Sequence, residues 1–82
     1  MNTYSLSIIL TEERDIERFR ETKIYSETKG FAESAISDGL EEGFPIRLET
    51  GFAFGLLFVM SEINDLLDHG LIVMLQKNEE ES

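Results

Sequence analysis

The carboxylate is the side chain with the most potential for chemistry in this sequence. Seventeen Asp and Glu residues stand against seven Lys and Arg residues, so the formal net charge is −10. Residues 30–82 contain eleven of the acids and only two bases, Arg47 and Lys77. A strongly acidic surface attracts basic partners and raises their association rate, whereas binding to phosphates or to an anionic membrane requires Lys and Arg. We therefore predict a basic protein partner, with no direct contact to nucleic acid or membrane.

Seven acidic residues on two predicted helices could form one binding surface. Carboxylates spaced along a surface can occupy the Arg and Lys sites that normally hold phosphates. Small acidic proteins of phages and mobile elements often inhibit host defence enzymes in this way, an analogy of size and charge alone. We expect a non-enzymatic nucleic acid mimic that inhibits a nucleic-acid-handling or defence enzyme; a surface that is acidic only for solubility is the alternative. The predicted acidic face consists of Glu33, Asp38, Glu41, Glu42, Glu62, Asp65 and Asp68.

Catalysis and metal binding have weaker support. The adjacent carboxylates of Glu41 and Glu42 diverge by about 100° on a helix, which does not suit a general acid–base pair. Glu62, Asp65 and His69 have the spacing of three and four that presents ligands on one helical face. His69 also lies at a predicted helix end, where it would stabilise the last carbonyl groups. The chain has no cysteine, which excludes disulfides and thiolate sites, and we predict no catalytic residue, metal or cofactor.

An apolar segment provides a second candidate for function. Residues 52–60 include three phenylalanines, and a helix that is apolar almost all round must be buried on more than one side. Core packing is the ordinary explanation. The alternative is a homo-oligomeric structural or accessory protein, a homodimer for example, that assembles through this segment. Phe54 and Phe58, four residues apart, would then form its apolar interface.

Hydropathy alternation predicts the strands that would support these surfaces. Tyr4–Leu10 and Ile46–Thr50 alternate between apolar and polar residues, which is typical of half-buried strands. Leu71–Leu75 is wholly apolar and suits the middle of a sheet. Residues 12–26 fit either a short helix that begins after Thr11 or a turn followed by a second strand. The β-branched and aromatic residues at 22–26 favour the strand.

Helical periodicity predicts two helices. The first extends over Thr28–Glu42, and Gly39 lowers its stability by about 1 kcal/mol relative to alanine. The second extends over Ala53–His69 and carries an apolar stripe at the i, i+3, i+4, i+7 spacing. The apolar stripe predicted for the first helix consists of Phe31, Ala32, Ala35, Ile36 and Leu40.

These elements predict a small single-domain α+β sandwich, ordered ββαβαβ. Its three- to four-stranded, mainly antiparallel sheet would carry two helices on one face. We expect one domain over residues 1–77 and an acidic, frayed tail over residues 78–82. The longest apolar run has nine residues, well short of the ~20 that span a bilayer, and the start lacks a signal-peptide pattern. We therefore expect a cytoplasmic protein.

Overall fold

A computed structural model describes residues 3–49 and 55–78 of the chain. These residues form a small, compact α+β fold with a three-stranded antiparallel sheet and four helices. None of the helices in this described part is long and apolar enough to cross a membrane. In chain order the elements are β1 (Thr3–Leu10), α1 (Glu13–Phe19), α2 (Lys23–Glu27), α3 (Lys29–Glu42), β2 (Ile46–Glu49), α4 (Leu56–Asp68) and β3 (Ile72–Asn78).

The sheet has the order β2-β1-β3, with β1 antiparallel to both neighbours. Ile8 lies opposite Leu48 on one side and Val73 on the other. Alternate residues of β1 point toward the helices and are buried, as the predicted strand requires. On the other face of the sheet Ile72 and Met74 are about half exposed. The helices therefore pack on one face, and the core lies between them and the sheet.

Residues 12–27 form the helices α1 and α2, so the favoured interpretation of a second strand is wrong. The Asp15 carboxylate accepts hydrogen bonds from the backbone N–H and the hydroxyl of Thr11, each at 2.8 Å. Thr22 caps α2 by accepting from the Tyr25 N–H at 3.4 Å. Such local side-chain hydrogen bonds favour helix starts over strands. The element order is consequently βαααβαβ, and the sheet of the described residues has three strands.

The strand β3 lies at an edge of this sheet, which differs from the predicted middle position. β1 occupies the middle because it pairs with β2 through residues 7–10 and with β3 through residues 3–9. A wholly apolar sequence suits a strand that is covered on both faces. Here β3 keeps that composition although Met74 and Leu75, on its two faces, are each half exposed.

The helix α3 packs against β2, and α4 packs against β1 and β3. Ala32 and Ile36 from the predicted stripe of α3 are buried, whereas Leu40 is about half exposed and Phe31 is 77% exposed. Phe31, Ala35 and Leu40 of the predicted stripe are therefore not part of the buried side of α3. At 100° per residue Phe31 lies about 120° away from the middle of the buried side, outside the arc that packs against β2.

Candidate partner-binding surface

The outer face of α3 presents an aromatic ring and carboxylates in one line. Phe31, Ala35, Asp38 and Glu42 have the spacing i, i+4, i+7, i+11, which places them on the same side of the helix. All four are exposed to solvent. This line, which we call the α3 outer face, lies about 100° around the helix from the buried side.

A shallow groove of about 390 Å³ adjoins the carboxyl-terminal half of this face. Asp38 and Glu42 line it from α3, and Pro45, Ile46 and Arg47 line it from the start of β2. Arg47 forms an ion pair with Glu49 at 3.2 Å, within its own strand. Within residues 3–49 and 55–78, neither Asp38 nor Glu42 takes part in an ion pair. The groove therefore presents two carboxylates whose charges are not neutralised by the described part of the fold.

The structure does not bring the seven predicted acidic residues together on one face. Glu33 accepts two hydrogen bonds from the Arg20 guanidinium, at 3.0 and 3.3 Å. Asp65 accepts from the Lys23 backbone N–H at 2.8 Å, at the start of α2. Glu62 is only 3% exposed. The members that are exposed are Asp38, Glu41 and Glu42 on α3 and Asp68 on α4.

Glu62 lies in the interior between α4 and α2. Its Oε2 atom has no hydrogen-bond partner among the described residues. Burial raises the pKa of Glu62, with a further contribution from the carboxylates of Glu27 and Asp65. Lys23 acts in the opposite direction on this pKa. The sequence carries a signal for this burial, because Glu62 follows Val59 by three residues and both belong to the apolar side of α4.

His69 lies at the end of α4, as the helix-end interpretation expects. Its Nδ1 atom is 2.7 Å from the Asp65 carbonyl oxygen and 3.7 Å from the Asp65 carboxylate. Among the described residues no group of three His, Cys, Asp or Glu side chains is placed to hold a metal ion. The ring of His69 therefore serves the last turn of α4.

The apolar segment of residues 52–60 is only partly described, and Phe54 lies outside the described residues. Phe58 is 44% exposed and Leu57 is 87% exposed. Leu56 and Met60 are each about half exposed, while Val59 is fully buried. The first two turns of α4 thus keep a large apolar surface in contact with solvent.

No family model matches this chain, and no curated protein or solved structure matches it.

Proposed function

We propose that this chain is a non-enzymatic binding protein that occupies a basic surface of a larger partner through the α3 outer face. The observation that supports the proposal is the exposed pair Asp38 and Glu42 beside a groove, on the same side of α3 as the exposed ring of Phe31. Carboxylates without an internal ion pair keep their full charge for a Lys or Arg from outside.

The chemistry of this face suits an arginine-containing site. A guanidinium binds a carboxylate through two parallel hydrogen bonds and can also stack on an aromatic ring. Sites of this kind hold phosphates and stacked bases in proteins that bind nucleic acids. The most concrete form of the proposal is therefore an inhibitor that mimics nucleic acid on a nucleic-acid-handling or defence enzyme.

The test compares two variants of equal net charge in capture from a native lysate. Asp38→Asn/Glu42→Gln removes two charges from the α3 outer face, and Glu13→Gln/Glu21→Gln removes two exposed charges elsewhere. We expect a basic protein to be retained by the wild type and the second variant and lost from the first. Duplex DNA added as a competitor should release the same protein, because both ligands occupy one site.

Two results would contradict the proposal. Equal loss of the captured protein in both variants would show that net charge alone attracts it. Retention by Asp38→Asn/Glu42→Gln would show that it binds another surface.

Self-association is a second candidate, and the exposed apolar surface of α4 favours it. A homo-oligomeric structural or accessory protein would cover Leu56, Leu57 and Phe58, which a monomer leaves in water. Phe58→Asp tests the interface predicted from the sequence, which contains Phe58. Assembly should then be lost while the far-ultraviolet circular dichroism of the monomer stays unchanged. A chain that is monomeric at about 1 mM would remove this candidate.

A further inference from the structure

We infer that two copies of this chain associate edge to edge through β3 and the adjoining side of α4, joining their sheets into one of six strands. The inference rests on the second candidate above, self-association, and names its surface. That surface differs from the one around Phe58.

The two sides of α4 have different neighbours. On one side the Asp65 carboxylate accepts a hydrogen bond from the backbone N–H of Lys23, the first residue of α2, so α2 lies on that side. Leu56, Met60, Ile63 and Leu67 have the spacing i, i+4, i+7, i+11 and form a second side. Leu56 lies about 180° around the helix from Asp65. This line, the α4 stripe, therefore faces away from α2, toward the edge of the sheet where β3 lies.

The α4 stripe is apolar and open. Leu56, Met60 and Leu67 are each about half exposed, and only Ile63 packs against the core. In the sheet layer Leu75 of β3, on the face that bears the helices, is 50% exposed. Helix and sheet thus present apolar side chains along the same edge, which the described part of the fold does not cover.

The strand β3 lacks the features that usually protect an edge. Proteins place charges, prolines or bulges on such strands because their free N–H and C=O groups pair with other chains. β3 extends over seven residues, pairs continuously with β1, and contains Lys77 as its single charged residue. Its residues 72–75 are all apolar.

The absence of carboxylates from this edge favours a second copy over a basic partner as the occupant. A basic partner would be drawn to carboxylates, but neither the α4 stripe nor β3 contains one. Two copies that each carry a formal charge of −10 repel each other least where carboxylates are absent. The apolar edge is such a place.

The geometry is self-complementary. A two-fold axis perpendicular to the sheet pairs β3 with its copy in the antiparallel sense and keeps all helices on the same face. The α4 stripe is about 16 Å long and β3 about 20 Å long, so both layers meet over similar lengths. A contact of this symmetry is complete when two copies have paired. A contact limited to one strand and one helix of each copy is typical of weak association, and we expect half-association at about 100 µM.

Sedimentation equilibrium of the full chain from about 10 µM to about 1 mM tests the inference. The weight-average mass should rise from 9.4 kDa toward twice that value and no further. Leu75→Lys should keep the chain monomeric, because it places a charged side chain at the β3 edge that the second copy would cover. Leu40→Lys is the matched control: Leu40 is 47% exposed on α3, far from β3, and its variant should associate like the wild type.

Amide hydrogen exchange supplies a readout that does not depend on a variant. In the wild type, exchange of the β3 amides should slow as the concentration rises, while exchange of the exposed end of α3 stays constant. Slowing at α3 instead of β3 would overturn the inference.

The remaining outcomes separate this inference from self-association in general. Association that is lost in Phe58→Asp and kept in Leu75→Lys would overturn the β3 edge and leave self-association standing, because Phe58 lies about 180° from Leu67 around α4. A monomer at all concentrations would overturn both. Species larger than two copies would overturn the closed two-fold pairing.

Discussion

Two buried carboxylates, Asp15 and Glu62, have opposite electrostatic environments. Burial of Asp15 opposes its ionisation. Hydrogen bonds from the backbone and side chain of Thr11 and from the Glu12 backbone, together with the positive charge of Arg18, outweigh the effect of burial and lower the pKa of Asp15. The pKa of Glu62 is raised by burial and by neighbouring carboxylates. Asp15 therefore adds stability when ionised, whereas ionised Glu62 removes it.

Replacing Asp15 by Asn should destabilise the fold by about 1–2 kcal/mol at pH 7, because two hydrogen bonds to a charged acceptor become weaker. The contribution of Asp15 is present above its unfolded-state pKa and is lost as the pH falls through its lowered folded-state value. The difference from wild type in urea unfolding should accordingly shrink under acid conditions. Glu13→Gln, an exposed change in the same helix, should alter stability by less than about 0.5 kcal/mol. A loss of equal size in both variants would contradict the role of Asp15.

Replacing Glu62 by Gln should stabilise the fold at pH 7 by about 1 kcal/mol, because the isosteric amide removes a buried charge whose Oε2 has no partner in the described part of the chain. Because folding raises the pKa of Glu62, the favourable contribution of its protonated form is complete below the unfolded-state pKa. This contribution is lost as the pH rises through the folded-state value. The gain of the variant should thus disappear toward about pH 4. A destabilised variant at pH 7 would contradict the unfavourable burial of the Glu62 charge.

Among the elements, α3 and β2 pack closely against each other at Gly39. A Cβ atom on Gly39 would lie 2.5 Å from Cγ2 of Ile46, a buried side chain. Gly30 in the same helix has open space around the corresponding position. The helix tolerates both glycines, but only Gly39 is required by packing.

We expect Gly39→Ala to destabilise the fold by about 1–3 kcal/mol through overpacking. Gly30→Ala should instead stabilise it by up to about 1 kcal/mol through helix propensity. Thermal unfolding of the two variants beside the wild type measures both effects. If Gly39→Ala proved the more stable of the two, the result would contradict the close packing of α3 against β2 at Gly39.

The strands and α4 could be predicted from the sequence because their hydrophobic patterns have one clear period. Alternation predicted β1 and β2, and the period of 3.6 predicted α4, within a few residues of their observed bounds. Residues 12–27 could not be assigned in this way. Their helices depend on the side chains of Asp15 and Thr22, and side-chain caps leave no periodic signal.

The candidate site was predictable only in part. The exposure of Asp38, Glu41 and Glu42 follows from their positions on α3. The engagement of Glu33 by Arg20, thirteen residues away in sequence, depends on how the segment that follows α1 lies beside α3. The edge position of β3 depends on the pairing order, because an apolar run has the same sequence at an edge as in the middle of a sheet.

For the molecule as a whole, the charge of −10 has opposite effects on the two proposed associations. Added salt screens repulsion between two copies and should strengthen the contact at β3. The same salt weakens attraction between the α3 outer face and a basic partner. The two surfaces are therefore distinguishable in the intact chain by the sign of their salt dependence.

The binding proposal is tested most directly by the affinity for the captured basic partner at about 50 mM and about 500 mM salt. Binding through exposed carboxylates predicts an affinity that falls by about tenfold or more over this range, with a smaller fall for Asp38→Asn/Glu42→Gln. An affinity that stays unchanged between the two salt concentrations would contradict binding through the α3 outer face.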